Sequence, residues 1–401
     1  MRLLDLPTEI LQHIASFLPA VSLAWLSETC RQLHDITVID SLWQALSEQD
    51  FGVSSNRGWN LSHREIYTKV LCKLHGMLGL KRLALIPYGG LVNVCWGDGE
   101  IQVNRYLSKP GDQASSGLSS LQMFSLRWNE DRREIEVFCV QCPSGKRPAI
   151  LAQAGRYPLL RCADRDCNIS HIFKEVKHGQ SDQRFKCGFD DHFDAFIKFN
   201  LNKGFNCPML PLPMPSESDQ LRSPVRLGLY TGDYGSHGVE ILHFTISQRN
   251  PERLEGLKIV GDPNVPAGNV SVQVFLNKPI ILSESDQESV LEMLRIDEQR
   301  SEGSFGELLN VNNNSPDFLR QPFIIPEDCF DRGQECPNTC LARYLAEGRI
   351  AGHLYNNPST CKCHFIKFSD VKFGVMWLEL NSFSMFYKVA EEFPRYLAQS
   401  S

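Results

Sequence analysis

The stretch LDLPTEILQHIASFLP, residues 4–19, decides how the chain begins to fold. Its apolar side chains recur at steps of three and four, which indicates one face of a helix. They are Leu6, Ile10, Leu11, Ile14, Phe17 and Leu18. Pro7 suits the first helical position, since its missing N–H would be unpaired there, and Pro19 ends the segment. The stretch therefore predicts a short amphipathic helix.

Two further helices are predicted before residue 52. LAWLSETCRQLHDI, residues 23–36, carries a second helical stripe, whose members are Leu23, Leu26, Cys30 and Leu33. A third helix is predicted after Asp40, a good N-cap, with Leu42, Trp43 and Leu46 on it. Three short helices make a poor core on their own, so we expect part of this apolar surface to meet a partner.

These segments, ending with DSLWQAL at residues 40–46, resemble the F-box family in order and spacing, from the Leu-Pro-x-Glu-Ile opening to the late Leu-Trp pair. The resemblance implies that residues 1–52 dock onto the small adaptor Skp1 and through it onto a cullin–RING ubiquitin ligase. The apolar residues it assigns to the Skp1 contact are Leu6, Pro7, Ile10, Leu11, Ile14, Leu26 and Trp43. The alternative is a helical cap packed on its own downstream domain.

A helical linker is predicted within residues 53–80. Ser-His-Arg-Glu at residues 62–65 has the spacing of a capping box, and Gly79 would end the helix. Its apolar face carries Ile66, Val70, Leu74 and Leu78. The helix would serve as a rigid spacer, and the plainer interpretation as an ordinary packed helix is compatible with that role.

From Pro87 onward, short apolar runs separated by Gly, Pro and Asn predict strands. Residues 90–107 predict a hairpin that turns at Asp98-Gly99, and residues 121–128 and 133–140 predict another. Further strands are predicted within 238–246, 270–276 and 373–386, and helical insertions near 190–205 and 285–300. Helices do not alternate regularly with these strands, so an antiparallel barrel or sandwich is favoured over a parallel sheet.

The predicted fold class is therefore α+β. A three-helix F-box over residues 1–52 and a helical linker over 53–80 precede a mainly antiparallel β-barrel or sandwich domain over 81–395. This domain would hold substrate and carry a zinc-binding insertion over 135–175. Residues 301–320 are polar and rich in Asn and Ser, which favours an exposed loop.

Composition excludes several classes of protein. The 401 residues are 42% hydrophobic, enough for a sizeable core, and the formal net charge of -6 argues against broad capture of nucleic acid or anionic membrane. The chain has no run of 18 apolar residues, and its first residues lack the apolar region of a signal peptide. The 14 cysteines should then sit in a reducing compartment, where close pairs more often bind metal. We expect a soluble protein of the cytoplasm and nucleus.

Two close cysteine pairs predict a structural Zn2+ site. The proposed ligands are Cys139, Cys142, Cys162 and Cys167, with His171 as the alternate to Cys167. Zinc takes four such ligands in a tetrahedron, and a closed shell leaves no position for a catalytic water. The alternative is four buried thiols that act as small apolar side chains.

A second group is less ordered in its spacing: Cys329, Cys336, Cys340, Cys361, Cys363 and His364. Core or solvated cysteines are favoured there over a second zinc. The same region could supply a thiol hydrolase, with Cys361 or Cys363 as nucleophile and His353 or His364 as base, but no recognisable nucleophile context surrounds these residues.

Two glycine-rich loops are the most constrained segments of the β region. They are GDYGSHGVEIL, residues 232–242, and KIVGDPNVPAG, residues 258–268. Glycine permits turns that a Cβ forbids, and Asp262-Pro263-Asn264 builds a rigid turn. Scaffolding and ligand binding both remain open for these loops. Neither is a phosphate loop, since no Gly-Lys-Ser/Thr follows.

These loops, with PYGGLVNV at 87–94, GRIAGH at 348–353 and FGVMWLELNSFSMF at 373–386, are similar in order to the F-box only protein 31 family. The resemblance implies a substrate receptor of an SCF ubiquitin ligase, linked to cell-cycle and DNA-damage responses. Its β-barrel would hold a structural zinc and capture C-terminal tails of target proteins, including tails that end in an amide. The chain departs from the family in its all-cysteine ligand set and in a shorter polar insertion before residue 320.

An amide-ended tail sets physical requirements for its pocket. Its last group needs polar partners, and its final side chain needs an apolar slot. Because the amide is uncharged, a cationic clamp would leave a buried charge unpaired, so the pocket should be polar without being strongly basic. The candidate substrate-binding residues are Tyr234, His237, Lys258, Asp262 and Asn264.

We therefore expect a non-catalytic adaptor whose partners are Skp1, the cullin–RING assembly and the tails of protein substrates, without nucleic acid or membrane. The alternative is a zinc-containing nucleic-acid-binding or scaffold protein with no ligase role. Acidic net charge and the lack of a basic cluster beside the cysteine pairs argue against nucleic acid.

Overall fold

A helical unit leads into two antiparallel β-sheets, the second of which closes into a barrel. This computed structural model describes residues 3–109, 111–142, 146–163, 207–234, 237–300, 320–330 and 334–393, and only the backbone of 296–300. None of the helices in these ranges is both long and apolar enough to cross a membrane. Several predicted features lie outside the described residues: the helix near 190–205, most of the loop at 301–320, and the candidate ligands Cys167 and His171.

The helical unit contains four α-helices, after a 3-10 turn at Leu3–Asp5, where three helices were predicted. They are α1 Thr8–Ser16, α2 Ala20–Ser27, α3 Arg31–Thr37 and α4 Asp40–Phe51. The predicted second helix is broken between α2 and α3, where the Thr29 hydroxyl donates to the Leu26 carbonyl and competes with the helix for it. Leu23 and Leu33 still fill one core, which is why their spacing resembled a single stripe.

Asp40 does not cap its own helix as predicted. One carboxylate oxygen accepts from the backbone N–H of His63, at 2.8 Å, and the other lies 2.8 Å from His63 Nδ1. The N-cap position of α4 is Ile39, which makes no side-chain cap bond. The carboxylate therefore fastens the helical unit to the linker.

The linker is a composite helix, α5, over residues 63–77. Its predicted capping box is confirmed, since Ser62 and Glu65 exchange side chain-to-backbone hydrogen bonds. The middle, Ile66–Leu71, is π-helical rather than α-helical, and the end, His75–Met77, is 3-10. A wider π turn inside a helix shifts the side chains that follow it.

The first sheet consists of β1 Gly79–Leu83, β2 Leu91–Gly97, β3 Glu100–Leu107, β4 Ser119–Asn129, β5 Glu134–Cys139, β6 Arg147–Ala154, β7 Tyr157–Cys162 and β8 Met209–Pro211. Both predicted hairpins are confirmed as β2–β3 and β4–β5. The strand order is β7-β6-β5-β4-β3-β2-β1-β8. A bridge between Leu159 and Pro208 brings the two ends together, and α5 packs its apolar face on the enclosed core.

The second sheet is a closed eight-stranded barrel. Its strands are β9 Gly228–Asp233, β10 Val239–Ile246, β11 Arg253–Val260, β12 Val270–Pro279, β15 Ala342–Gly352, β16 Asn356–Lys367, β17 Lys372–Trp377 and β18 Ser382–Lys388. Their order around the barrel is β10-β11-β12-β15-β16-β17-β18-β9. Outside it lie α6 Glu217–Arg222, α7 Glu284–Arg300 and a short pair, β13 Gln321–Pro322 with β14 Thr339–Cys340. The predicted helix near 285–300 is thus confirmed.

The two sheets meet where residues 88–90 of the first touch the loop 258–268 of the second. The Tyr88 carbonyl accepts from the N–H of Gly261 at 3.0 Å, and the Ile259 carbonyl accepts from Gly90 at 3.0 Å. A Cβ on Gly89 would lie 2.1 Å from the Ile259 carbonyl oxygen, closer than real contacts permit. Glycine is required here for close approach of two backbones. The loop 258–268 is therefore structural on one side, and it faces a cavity on the other.

Candidate functional site

One open end of the closed barrel forms a cavity of about 420 Å3. All five predicted substrate-binding residues line it: Tyr234, His237, Lys258, Asp262 and Asn264. The other lining side chains come mostly from strands β15 to β18, and they include Arg349, Ile350, Trp377, Leu380, Ser382 and Ser384. Barrel mouths are a common place for ligand sites, because the strands hold the surrounding side chains rigidly. We call this cavity the barrel-mouth pocket.

Two β-bulges shape the pocket. In the β10–β11 pair, Ile241 pairs with Val260 and Leu242 with Lys258, which leaves Ile259 as an extra residue. In the β11–β12 pair, the register shifts in the same way beside Ser271. A bulge bends its strand and re-aims the neighbouring side chains. Ser271 consequently lines the pocket together with Lys258, and the Ile259 carbonyl accepts a hydrogen bond from Gly90 of the first sheet.

A buried charged triad lies at the pocket wall. Lys258 Nζ is 2.6 Å from Glu240 Oε2 and 2.6 Å from Asp262 Oδ2, and the three side chains are almost fully buried. Burial alone would lower the pKa of Lys258, but its two carboxylate partners raise it. Burial would raise the pKa of Asp262, and the attraction of Lys258 holds it well below its usual range. The lysine is thus protonated, and its positive charge is already balanced by its carboxylate partners.

Tyr234 covers this triad. Lys258 Nζ lies 4.6 Å from the centre of the Tyr234 ring, a cation–π distance. Burial first, and the neighbouring Glu240 second, raise the pKa of the Tyr234 hydroxyl well above its ordinary value, so the hydroxyl stays protonated. Gly232, predicted as a turn residue, is instead in β9, where a Cβ would collide with the Phe386 ring.

Asp262, Asn264 and His237, which lie in the two constrained loops, have different roles. Asp262 Oδ1 accepts from the N–H groups of Asn264 and Val265, which fixes the turn. Asn264 donates its side-chain amide to the Ala351 carbonyl at 3.0 Å and so joins this loop to the end of β15. His237 is half-buried and close enough to Asp262 to lower the carboxyl pKa. These contacts leave a polar pocket in which the most buried cation is not available to a ligand.

Sequence reasoning missed several residues of the site, above all Glu240, which lies behind the pocket lining as a partner of Lys258. Its signal was present: in β10, Glu240 shares the inward face with Leu242, Phe244 and Ile246, where a lone acid needs a partner. Trp377 and Ser384 gave no comparable signal. They meet only because β17 and β18 pair, with the indole N–H donating to the Ser384 hydroxyl at 3.2 Å.

The helical unit leaves an apolar ridge exposed. Ile10 and Ile14 on α1 are 47% and 40% exposed, and three residues that were not predicted as contacts are more exposed still. These are Phe17 at 74%, Val21 at 62% and Trp25 at 68%. We call these five side chains the F-box ridge. An exposed apolar surface of this kind on a small helical unit marks a protein-interaction site.

The other predicted Skp1 contacts lie differently. Leu11 and Trp43 are buried in the core of the helical unit, at 3% and 4% exposure, so the structure assigns them to support rather than to contact. The Trp43 indole N–H donates to the Thr37 carbonyl inside the unit. Leu6 and Leu26 are half-buried against the same core, and Pro7 is exposed. Helical spacing could not tell which apolar residues face inward.

Three of the predicted zinc ligands pack in one core cluster. Cys139, Cys142 and Cys162 are each buried there, together with Cys207, which sequence spacing did not indicate. Among the described residues, no group of three or more His, Cys, Asp or Glu side chains is arranged to share a metal ion. Thiols are donors that suit zinc, but the structure does not bring these described thiols together as a set of ligands.

The second cysteine group is divided between two cores. Cys361 and Cys363 lie inside the barrel, whereas Cys329 and Cys340 lie in a separate cluster with Met376 and Met385. Burial raises the pKa of the Cys363 thiol far above its usual value, and raises that of Cys336 to about 12. The Cys363 and Cys336 thiols are therefore protonated at neutral pH, which argues against Cys363 as a thiolate nucleophile.

Comparison with known proteins gives two family matches. Residues 3–49 match the family model described as F-box-like, and residues 211–392 match the one described as cyclin D1 binding domain. The chain is 27% identical to F-box only protein 31 of Mus musculus, over 99% of this chain and 87% of the mouse protein. It is 26% identical to F-box only protein 31 of Homo sapiens, over 98% and 84%. F-box only protein 31-B of Xenopus laevis is 27% identical, over 98% and 84%.

Proposed function

Since the chain is an F-box protein related over nearly its full length to the proteins named F-box only protein 31, we propose that it is the substrate-recognition subunit of an SCF ubiquitin ligase. In this proposal the F-box ridge binds Skp1, and the barrel-mouth pocket binds the C-terminal tails of target proteins for ubiquitylation and degradation. The ubiquitin transfer itself belongs to the other subunits. The exposure of the ridge is the observation that supports the Skp1 contact.

The charge state of the pocket supports tails that end in an amide. Lys258, the buried cation of the pocket wall, is already shared by Glu240 and Asp262, so it offers a terminal carboxylate no unpaired charge, and Arg349 is the other Lys or Arg in the described lining. A primary amide carries no charge, donates two hydrogen bonds and accepts others. The hydroxyls of Ser271, Ser382 and Ser384 offer further polar partners, while Trp377 and Ile350 provide apolar surface for the last side chain.

Two peptides that differ only in the terminal amide or acid test this pocket. Titrated into the complex of the chain with Skp1, the amide should bind about tenfold tighter or more, as a difference of about 1.4 kcal/mol in desolvation would give. His237→Ala and Asn264→Ala should each weaken the amide peptide. Asn277→Ala, on the exposed outer part of β12, is the matched control and should not. Equal affinity for both peptides, unchanged in both pocket variants, would remove the pocket from the proposal.

The match to a cyclin D1 binding domain covers the barrel and its pocket, so the tail of a D-type cyclin is one client to include in the same titration.

We also propose a structural zinc, bound by Cys139, Cys142 and Cys162 with Cys167 or His171 as the fourth ligand. The shared burial of the three thiols supports it. Structural zinc contributes about 10–16 kcal/mol in small peptides, comparable to the whole stability of a domain, about 5–15 kcal/mol. Chelation should therefore unfold this part of the first sheet.

Elemental analysis of the purified protein should find one zinc per chain. Cys139→Ser should lose it, and Cys72→Ser, at an exposed position on α5, should keep it. Less than half a zinc per chain in the unaltered protein would contradict the proposal and leave Cys139, Cys142 and Cys162 as core side chains.

A further inference from the structure

A second cavity, of about 440 Å3, lies between α5 and the outer strands of the first sheet. Its helical wall includes Lys69 and Lys73, which stand on and just beyond the π turn Ile66–Leu71. Its sheet wall includes Trp128 on β4 and Arg156 in the β6–β7 turn. The cavity shares no residue with the barrel-mouth pocket. We call it the linker groove.

The linker groove is basic in a chain whose net charge is -6. Lys69 is paired with Glu65 at 2.7 Å, but Lys73 and Arg156 are exposed and form no salt bridge with any other described residue. Glu134 is the one acidic side chain in the described lining. Two cations therefore face the groove without a carboxylate partner, which attracts an anionic ligand.

The rest of the groove is apolar and preorganised. Leu74, Met77, Ile135 and Leu151 contribute its apolar lining. The capping box holds Glu65, and Glu65 holds Lys69, whose ammonium lies 5.5 Å from the centre of the Trp128 ring. π turns within helices recur at functional sites, because they place side chains where a regular helix would not. An apolar lining between cations suits a ligand that carries both apolar and acidic side chains.

We propose that the linker groove binds a peptide segment in which acidic residues flank a bulky apolar side chain. It would serve as an accessory site for a client protein, separate from the site for the client's tail. A second contact on one client raises the overall affinity because the first contact keeps the second segment at high local concentration. Nucleic acid is disfavoured, because Lys69 covers one face of the Trp128 ring, the larger of the two aromatic rings in the described lining, the other being the His75 imidazole.

A head-to-tail cyclic peptide of alternating Glu and Leu residues tests the groove. It has no terminus, so it has no tail to place in the barrel-mouth pocket, and failure of one site is distinguishable from failure of the other. Binding to the full chain in complex with Skp1 is followed by fluorescence anisotropy at two salt concentrations. The affinity should fall as salt is raised. The double variant Lys73→Glu/Arg156→Glu should weaken binding about tenfold or more.

Glu134→Gln gives the opposite prediction. Removing the single acid from the lining should tighten binding about two- to fivefold, the range expected for one exposed charge. This gain cannot arise from misfolding, so it keeps the proposal testable if the double variant proves unstable. The matched control is Lys278→Glu/Arg222→Glu, at two exposed positions outside the groove, and it should leave the affinity unchanged.

Three outcomes would overturn the proposal. The first is no measurable binding of the cyclic peptide by the unaltered protein at low salt. The second is an affinity that neither Glu134→Gln nor the Lys73/Arg156 double variant changes. The third is tighter binding of a single-stranded oligonucleotide than of the peptide, lost in the double variant, which would assign the groove to nucleic acid.

Discussion

The Lys258→Met variant is expected to lose about 3–5 kcal/mol of unfolding free energy, the cost of leaving buried charges without their partner. Lys258 is 1% exposed, and its two carboxylate partners, Glu240 and Asp262, are 0% and 2% exposed. Without the lysine, two acids would lie close together in the barrel wall with no cation between them. The loss should appear as a lower midpoint of urea unfolding.

The pH dependence of the unfolding free energy distinguishes the loss of an ion pair from a simple packing defect. In the unaltered protein the pKa of Asp262 is lowered, so its contribution is present above its usual pKa of about 3.9 and is lost as pH falls below that. The pKa of Lys258 is raised, so its contribution is present below about 10.4 and is lost as pH rises further. Between these limits the triad's contribution should not change. In the variant, stability should instead rise from pH 8 to pH 5, as one acid of the pair takes up a proton.

Rescue is the matched control. The triple variant Lys258→Met/Glu240→Gln/Asp262→Asn removes all three charges and should recover at least half of the loss, because neutral groups of similar shape carry no unpaired charge. Lys278→Met, at an exposed position on β12, should change stability by no more than about 0.5 kcal/mol. The contradicting result is a Lys258→Met variant as stable as the unaltered protein, with the same stability at pH 8 and pH 5. That result would show that Lys258 does not form the stabilising ion pairs with Glu240 and Asp262.

Local patterns predicted the parts of this fold that local physics determines. The capping box at Ser62 and Glu65, the turn at Asp98-Gly99 and the helix α7 each depend on a few adjacent residues, and each is present. The break between α2 and α3 was missed, because Leu23 and Leu33 pack on the same core from both sides of it. The π turn of α5 gave no signal, since its apolar spacing fits an ordinary helix.

Long-range pairing could not be predicted in this way. The barrel closes where β9 meets β18, and there the Thr231 hydroxyl donates to the Tyr387 carbonyl across 156 residues of sequence. No periodicity records which strands become neighbours. The five predicted pocket residues could be identified because they lie in two constrained loops. Trp377 and Ser384 could not, because only the pairing of β17 with β18 brings them to the pocket. Cys207 was missed because no second cysteine stands near it in sequence, although it is buried in the same hydrophobic core as Cys139, Cys142 and Cys162.

The F-box ridge carries the second large prediction. Trp25 and Phe17 are the most exposed of its side chains, and large aromatic residues at the centre of an interface typically contribute 2 kcal/mol or more each, by alanine substitution. The double variant Phe17→Ala/Trp25→Ala should therefore bind Skp1 at least about 100-fold more weakly. Because both side chains are exposed in the chain itself, the variant should unfold at the same urea concentration as the unaltered protein.

Two controls separate contact from folding. Leu23→Ala lies on the same helix as Trp25 but is fully buried, so it should destabilise the helical unit by about 2–5 kcal/mol. Leu221→Ala removes a side chain that is 89% exposed on α6, far along the chain, and should affect neither Skp1 binding nor stability. The ridge variant alone should lose the partner while keeping the fold.

Calorimetric titration of purified Skp1 into the unaltered chain and the Phe17→Ala/Trp25→Ala variant is the most direct measurement of whether this chain is a ligase receptor. Saturable binding by the former, lost in the latter at unchanged urea midpoint, is the result we expect. Binding of equal strength by both proteins, or none by either, would contradict the assignment of residues 3–49 as the surface that recruits the ligase.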